Sequence, residues 1–255
     1  METTSIAILT DSTCDIPDNL VEEYGITVIP HVIIWGDEQF QDRVDMKPLD
    51  FYQRLAIDHR RPTSSQAGIP DFKAAYEAAQ AKGAKQIITL TVSSAMSGAF
   101  QMAQAAAKLV KIPVAVIDSK GPTMSLGWQV LAAARACAAG LDIDEVLEHV
   151  EQVRRNLVQL VALDTLEYLQ KGGRLGGAVK WVGGMLKVKP LISINHQTGL
   201  VEPVSLARTH QGVVEMMYSK FFARLKGGKN LRVAVLHGNV QEEANALAER
   251  ILKEF

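Results

Sequence analysis

Cysteine is nearly absent. Cys14 and Cys137 are the two in 255 residues, one in a polar turn and one in an alanine-rich stretch, so neither a disulfide framework nor a thiolate metal site has support. The six histidines (His31, His59, His149, His196, His210 and His237) form no HExxH pattern and no helical i, i+4 pair, and no metal or cofactor is expected. An excess of one charge is missing too. Lys plus Arg total 27 against 28 for Asp plus Glu, which gives no general positive field to attract nucleic acid or an anionic membrane. No apolar run approaches the roughly 20 residues of a membrane span, and the opening METTSIAILTDS has no basic segment followed by a signal-type apolar stretch. A cytoplasmic protein with no integral membrane segment is expected. Catalytic signatures are also missing: there is no GxSxG elbow, no GxxxxGK[ST] and no GxGxxG, and KGGRLGG follows a short helix in the wrong context. A Ser-His-Asp triad needs no proximity in sequence and stays open.

What is present centres on Ile87 to Leu109, IITLTVSSAMSGAFQMAQAAAKL. Ile87, Ile88, Leu90 and Val92 form a short, nearly continuous apolar run of the kind buried on both faces of a parallel sheet. Ser93, Ser94, Ser97 and Gly98 follow and precede an alanine-rich segment of strong helix propensity. The first turn of a helix has free N–H donors and the positive end of the dipole, so a phosphate, sulfate or carboxylate can sit there without a formal cation. A serine at a helix start is ordinarily an N-cap, but three serines and a glycine in six residues exceed what capping needs.

Earlier in the chain, Ser5 to Leu9 reads as a strand that stops at TDSTCDIP, with Asp11, Ser12, Thr13 and Asp15 gathered at its carboxyl end and Pro17 starting a short helix. Two readings stand: a ligand-side loop at a switch in strand order, or local Asx turns and caps. Ile26 to Trp35 is a strand region bent or placed at an edge by Pro30. Helices are expected over Pro48 to Ile57 and Asp71 to Lys82, separated by the hydroxyl-rich connector HRRPTSSQAGIP. Pro113 to Ile117 reads as a strand closed by Asp118-Ser119, and helices follow over Met124 to Ala139 and Asp142 to Arg155. This alternation argues a parallel sheet with helices on both sides.

After Asn156 the grammar changes. Strands are expected over Leu157 to Leu163, Val188 to Ile194, Leu200 to Leu206 and Leu231 to Leu236, with the second and third joined as a hairpin through NHQTG. Helices are expected over Leu166 to Gln170, Thr209 to Leu225 and Val240 to Phe255. The glycine-rich LQKGGRLGGA around Arg174 is a hinge or a place where another body comes close. The expected organisation is an α/β protein of two domains, 1–156 and 157–255, the second of mixed α/β type.

Four segments resemble the DegV family of fatty-acid-binding proteins, in the family's order. TDSTCDIP is similar to TDSxxDLP, SSAMSGAFQMA to SSxLSGTYQSA, DSKGPTMSLGW to DSxxxSxGxG, and LEYLQKGGRL to LxxLxKGGRI. The resemblance implies a Rossmann-like amino-terminal domain beside a second α/β domain, with the ligand between them. It also implies a non-catalytic carrier that presents a long-chain fatty acid to a fatty-acid kinase catalytic subunit for acyl-phosphate formation. The family's TSQPS appears here as SSQAG, which puts Ser64 at the Thr position with Thr63 as a rival hydroxyl. The family's final strand and HxGPG-like loop, associated with kinase communication, have no counterpart by Phe255.

Burying roughly 14 methylenes would provide on the order of 11 kcal/mol before ordering costs. The carboxylate loses its hydration unless hydrogen bonds replace it. Ser64, Ser93 and Ser94 are the expected donors, with Thr63, Ser97 and Gly98 beside them, and the resemblance implies that Arg174 is the kinase contact. Leu163, Leu166, Leu169 and Ile192 are candidates for the tunnel, or ordinary core. A serine-dependent hydrolase or transferase using Ser93 or Ser94 on a small anionic substrate is the alternative.

Overall fold

A computed structural model describes residues 6–181, 188–225 and 231–254. Strand β1 (Ile6–Asp11) passes through a 3-10 turn (Ser12–Cys14) into helix α1 (Asp18–Glu23). Strands β2 (Thr27–Ile29) and β3 (Val32–Trp35) are divided at Pro30, whose ring lacks the N–H that a continuous strand donates. The chain continues through β4 (Glu38–Gln41), α2 (Pro48–Ile57), β5 (Thr63–Ser65), α3 (Ile69–Ala81), β6 (Gln86–Thr91), α4 (Ala99–Ala107), β7 (Val114–Asp118), α5 (Met124–Ala138) and α6 (Ile143–Asn156). Then come β8 (Leu160–Ala162), α7 (Glu167–Lys171), a 3-10 segment (Gly176–Trp181), β9 (Lys189–Asn195), β10 (Leu200–Ala207), α8 (His210–Arg224) and α9 (Gln241–Glu254). No helix among the described residues is long and apolar enough to cross a membrane.

The chain forms two compact units, one of Met1–His31 with Gln66–Lys226 and the other of Val32–Ser65 with Gly227–Phe255. The expected division near Asn156 falls inside the first.

The first unit holds a four-stranded parallel sheet in the order β2-β1-β6-β7, aligned by pairs such as Ile8 with Ile88 and Ile88 with Ala115. Every residue from Ile87 to Val92 is buried, so both faces of β6 are covered, as a run without alternation requires. Helix α4 packs on β6 and β7, and α5 packs on β1 and β6 with α6 behind it. Gly127 lets α5 approach the first loop: a Cβ there would stand 2.5 Å from the Cys14 carbonyl oxygen. Asp142 and Glu145 form a reciprocal capping box at the start of α6, with both bonds at 3.0 Å, and Val146 and Val150 face inward. A second sheet in the same unit, antiparallel and ordered β10-β9-β8, is backed by α8. The mixed α/β architecture matches the expectation.

The second unit carries the antiparallel sheet β4-β3-β5. Strand β4 lies in the polar stretch between Trp35 and Pro48, where no element was expected, and β5 in the expected connector. Their polar, turn-forming residues hide two short strands, each of which pairs with the apolar β3. Residues Leu231 to Leu236, read as a strand, form neither strand nor helix. Apolar content alone does not make a strand, and no described strand pairs with this segment.

Candidate functional site

The order β2-β1-β6-β7 reverses direction between β1 and β6, and ligands of open α/β sheets gather outside the carboxyl ends of strands at such a point. There Asp11 ends β1, fully buried. Its carboxylate accepts from the Thr13 N–H at 3.0 Å, the Thr13 hydroxyl at 2.6 Å and the Val92 N–H at 2.8 Å. The side chain therefore caps the 3-10 turn, as the local reading has it, and also ties the first loop to the end of β6. Ser12 Oγ accepts from the His31 N–H at 3.0 Å.

The stretch after β6 is a separate turn of several residues, since α4 begins only at Ala99. This hydroxyl-rich turn leads directly into α4 at Ala99, as expected. The Ser93 carbonyl accepts from the N–H groups of Met96 and Ser97 at 2.9 and 3.1 Å, which closes the turn, and Ser97 Oγ accepts from the Ala99 N–H at 3.3 Å. Gly98 is the N-cap, beside the Gln66 amide. Ser93 is fully buried; its hydroxyl donates to the Gly199 carbonyl at 2.9 Å and accepts from the Ala95 N–H at 3.2 Å. Gly199, at the tip of the β9–β10 hairpin, has φ +76°, and a Cβ there would lie 2.1 Å from Ser93 Oγ. Only glycine fits this position.

Ser94 is held differently. Its N–H donates to Asp118 Oδ1 at 3.1 Å and its hydroxyl to Asp118 Oδ2. Lys120 donates to the same carboxylate from its backbone N–H at 3.0 Å and lies 2.7 Å from it through Nζ. Burial by itself would raise the Asp118 carboxyl, but the bonds from Lys120 and Ser94 more than reverse this and leave it below the ordinary 3.8. His196, on the same hairpin, lies against Gly121. Burial, with the Arg154 charge second, lowers its imidazole from 6.5 to about 4. Among the described residues no group bonds its buried Nε2.

Behind the turn is an apolar cluster of Leu175, Ala178, Ile192, Ile194 and Val201, with Met96, Leu163, Leu166 and Leu169 packed against it. The four expected tunnel candidates thus come together, joined by Met96 from the serine turn itself. Arg174 is exposed, yet its Nε donates to the Met96 carbonyl at 2.9 Å and its guanidinium also bonds the Gly172 carbonyl. The glycine-rich loop and the serine turn are therefore linked. Thr63 and Ser64 lie exposed on β5 in the other unit, paired with Ile34 and Ile33. The structure thus groups Ser93, Ser94, Ser97, Gly98 and Arg174. Asp118, Lys120 and Gly199 went unnoticed as site residues; Asp118 stood in the sequence only as the end of a strand and the start of a quoted motif.

This parallel sheet with its polar switch point, joined to an antiparallel sheet, defines a mixed α/β fold of the open-sheet class. The profile of the DegV family, described as an uncharacterised protein, matches residues 5–255. The chain belongs to the DegV family. A DegV domain-containing protein of Streptomyces coelicolor is 32% identical over 247 residues, covering 96% of this chain and 86% of that one. The crystal structure of DegV, a fatty acid binding protein from Bacillus subtilis, superposes with a TM-score of 0.89 at 28% identity, covering 99% of this chain and 89% of that one. A DegV family protein from Thermus thermophilus, solved for its fatty acid binding, gives 0.81 at 30% identity, covering 88% and 79%.

Proposed function

We propose that this chain binds a long-chain fatty acid and presents it, chemically unchanged, to a fatty-acid kinase. The observation that carries the reading is the junction at Met96, where a turn lined with hydroxyls and N–H groups meets an apolar cluster. Such a junction suits an amphipathic acid. The carboxylate is placed against the Ser93–Gly98 turn and the tail along the cluster of Leu163, Leu166, Leu169 and Ile192, which opens into a tunnel around it.

Ser93 is the exchangeable donor. Its present acceptor, the Gly199 carbonyl, is neutral, and a hydrogen bond to a carboxylate is roughly twice as strong as one to a neutral partner. The ligand can therefore displace that carbonyl. Ser97 and Gly98 shape the turn and the start of α4, whose dipole favours an anion. Thr63 and Ser64 are further donor candidates, to be tested by substitution. The Ser93 hydroxyl donates to a carbonyl and the Ser94 hydroxyl to a carboxylate, neither of them to a histidine, which favours holding an anion over nucleophilic attack. The motif likeness around KGGRL supports Arg174 as the kinase contact.

Native mass spectrometry of the purified protein tests the reading. The expected result is an added mass in the fatty-acid range that is lost on denaturation. An acyl mass that survives denaturation on a serine would replace the carrier by a serine-dependent transferase or hydrolase.

A further inference from the structure

Two serines adjacent in sequence have acceptors of different kinds. Ser93 donates to a neutral carbonyl, whereas Ser94 donates to the Asp118 carboxylate. Four donors from residues 94 and 120 converge on that one carboxylate: two backbone N–H groups at 3.1 and 3.0 Å, the Ser94 hydroxyl, and the Lys120 ammonium at 2.7 Å. Its side chain is 9% exposed. Thr91 and Asp118 are partners in the β6–β7 register, so the carboxylate links the carboxyl ends of neighbouring strands.

Resting on the fatty-acid reading above, we infer that Asp118 is the positioning residue of the carboxylate site, and that Ser94 acts through its bond to Asp118 and not as a ligand donor. A ligand carboxylate that took the Ser94 hydroxyl would leave a nearly buried anion short of a partner, which is unfavourable. Ser93 offers its donor at a smaller cost, since the acceptor it gives up, the Gly199 carbonyl, is neutral. Lys120 has a second part in this arrangement. It sits at φ +57°, in the left-handed region uncommon for lysine, and its ammonium neutralises Asp118. An unpaired Asp118 would repel an incoming carboxylate. The Lys120 Cα lies 3.5 Å from where a Gly199 Cβ would stand, beside Ser93, so this compensation is local to the exchangeable donor.

The test compares the parent with Asp118→Asn, Ser94→Ala, their double variant and Lys120→Met, each titrated with oleate by displacement of a fluorescent fatty acid. Asp118→Asn and Ser94→Ala are each expected to weaken oleate about tenfold or more, and the double variant to be no more than about twofold weaker than Asp118→Asn alone. Lys120→Met is expected to weaken oleate and to make the affinity rise with added salt. In ¹⁵N spectra of ligand-free protein, Asp118→Asn should shift the Ser94 and Lys120 amides while distant amides stay in place, a signature that general destabilisation would not give. Asp118→Asn binding oleate as the parent does, or losses that multiply in the double variant, would overturn the positioning role and leave the fatty-acid reading standing. A parent that takes up no oleate would overturn the fatty-acid reading, and this inference with it.

Discussion

Ser93 lies in the serine turn and Arg174 in the glycine-rich loop bonded to it, and single substitutions separate the two roles proposed for them. Ser93→Ala removes the hydroxyl proposed as the exchangeable donor from a fully buried position. Losing a donor to a buried charged group costs roughly 1 to 3 kcal/mol, so oleate affinity measured by titration should fall by about 5- to 150-fold. Arg174→Ala deletes the guanidinium contact to the Met96 carbonyl at an exposed site, where such a bond contributes about 1 kcal/mol. Its oleate affinity should stay within about fivefold of the parent, while acyl-phosphate formation with a cognate kinase drops much further. Equal losses in the two assays would move Arg174 from the partner surface into the ligand site. Sequence reasoning reached these residues because serine density and an arginine among glycines are visible in the chain. Asp118 was not legible as a site residue, since its four donors come from positions 94 and 120 and only the pairing of β6 with β7 brings them together.

The β9–β10 hairpin is the element that covers the serine turn, and its tip leaves no spare volume. Gly199→Ala would set a Cβ 2.1 Å from Ser93 Oγ at φ +76°, and such a backbone position alone strains a non-glycine residue by about 1 to 3 kcal/mol. Thermal unfolding should show a clear loss of stability. Adding Ser93→Ala should restore part of it, because the nearest atom, the hydroxyl oxygen, is then gone; additive losses would mean that the tip does not rest on Ser93. His196 gives the same element a pH signature. Its folded value of about 4 lies below the ordinary 6.5, so at acidic pH the unfolded chain binds a proton that the folded chain refuses. The contribution is fully present above about pH 6.5 and is lost as pH falls towards 4, amounting to at most roughly 3 kcal/mol. Denaturant titrations at pH 7 and pH 4.5 should differ less in His196→Gln than in the parent. The hairpin itself was legible from the NHQTG connection between two apolar runs, but its seat on Ser93 was not, because residues 93 and 199 are far apart in sequence.

At the scale of the molecule, the alternation of strands and helices up to Asn156 announced the parallel sheet, and the four motif likenesses announced the family. The compact units were less legible. The second and third strands of the chain belong to different sheets because Pro30 interrupts the run, and Thr63–Ser65 reads as a connector until Ile33 and Ile34 are seen to pair with it. Composition registers none of this, since short edge strands carry polar residues that loops also favour. The central claim is that a fatty-acid carboxylate is received at the Ser93–Gly98 turn with its tail on the cluster that includes Met96. Its most direct test is a titration of the protein with oleate followed in amide ¹⁵N and methyl ¹³C spectra. The account predicts that the largest shifts fall on the amides of Ser93 to Gly98 and of Gly199, with methyl shifts at Met96, Leu163, Leu166 and Leu169, and that Ser93→Ala suppresses them. Saturable oleate binding that shifts residues elsewhere and leaves this turn and the Gly199 amide unmoved would contradict it.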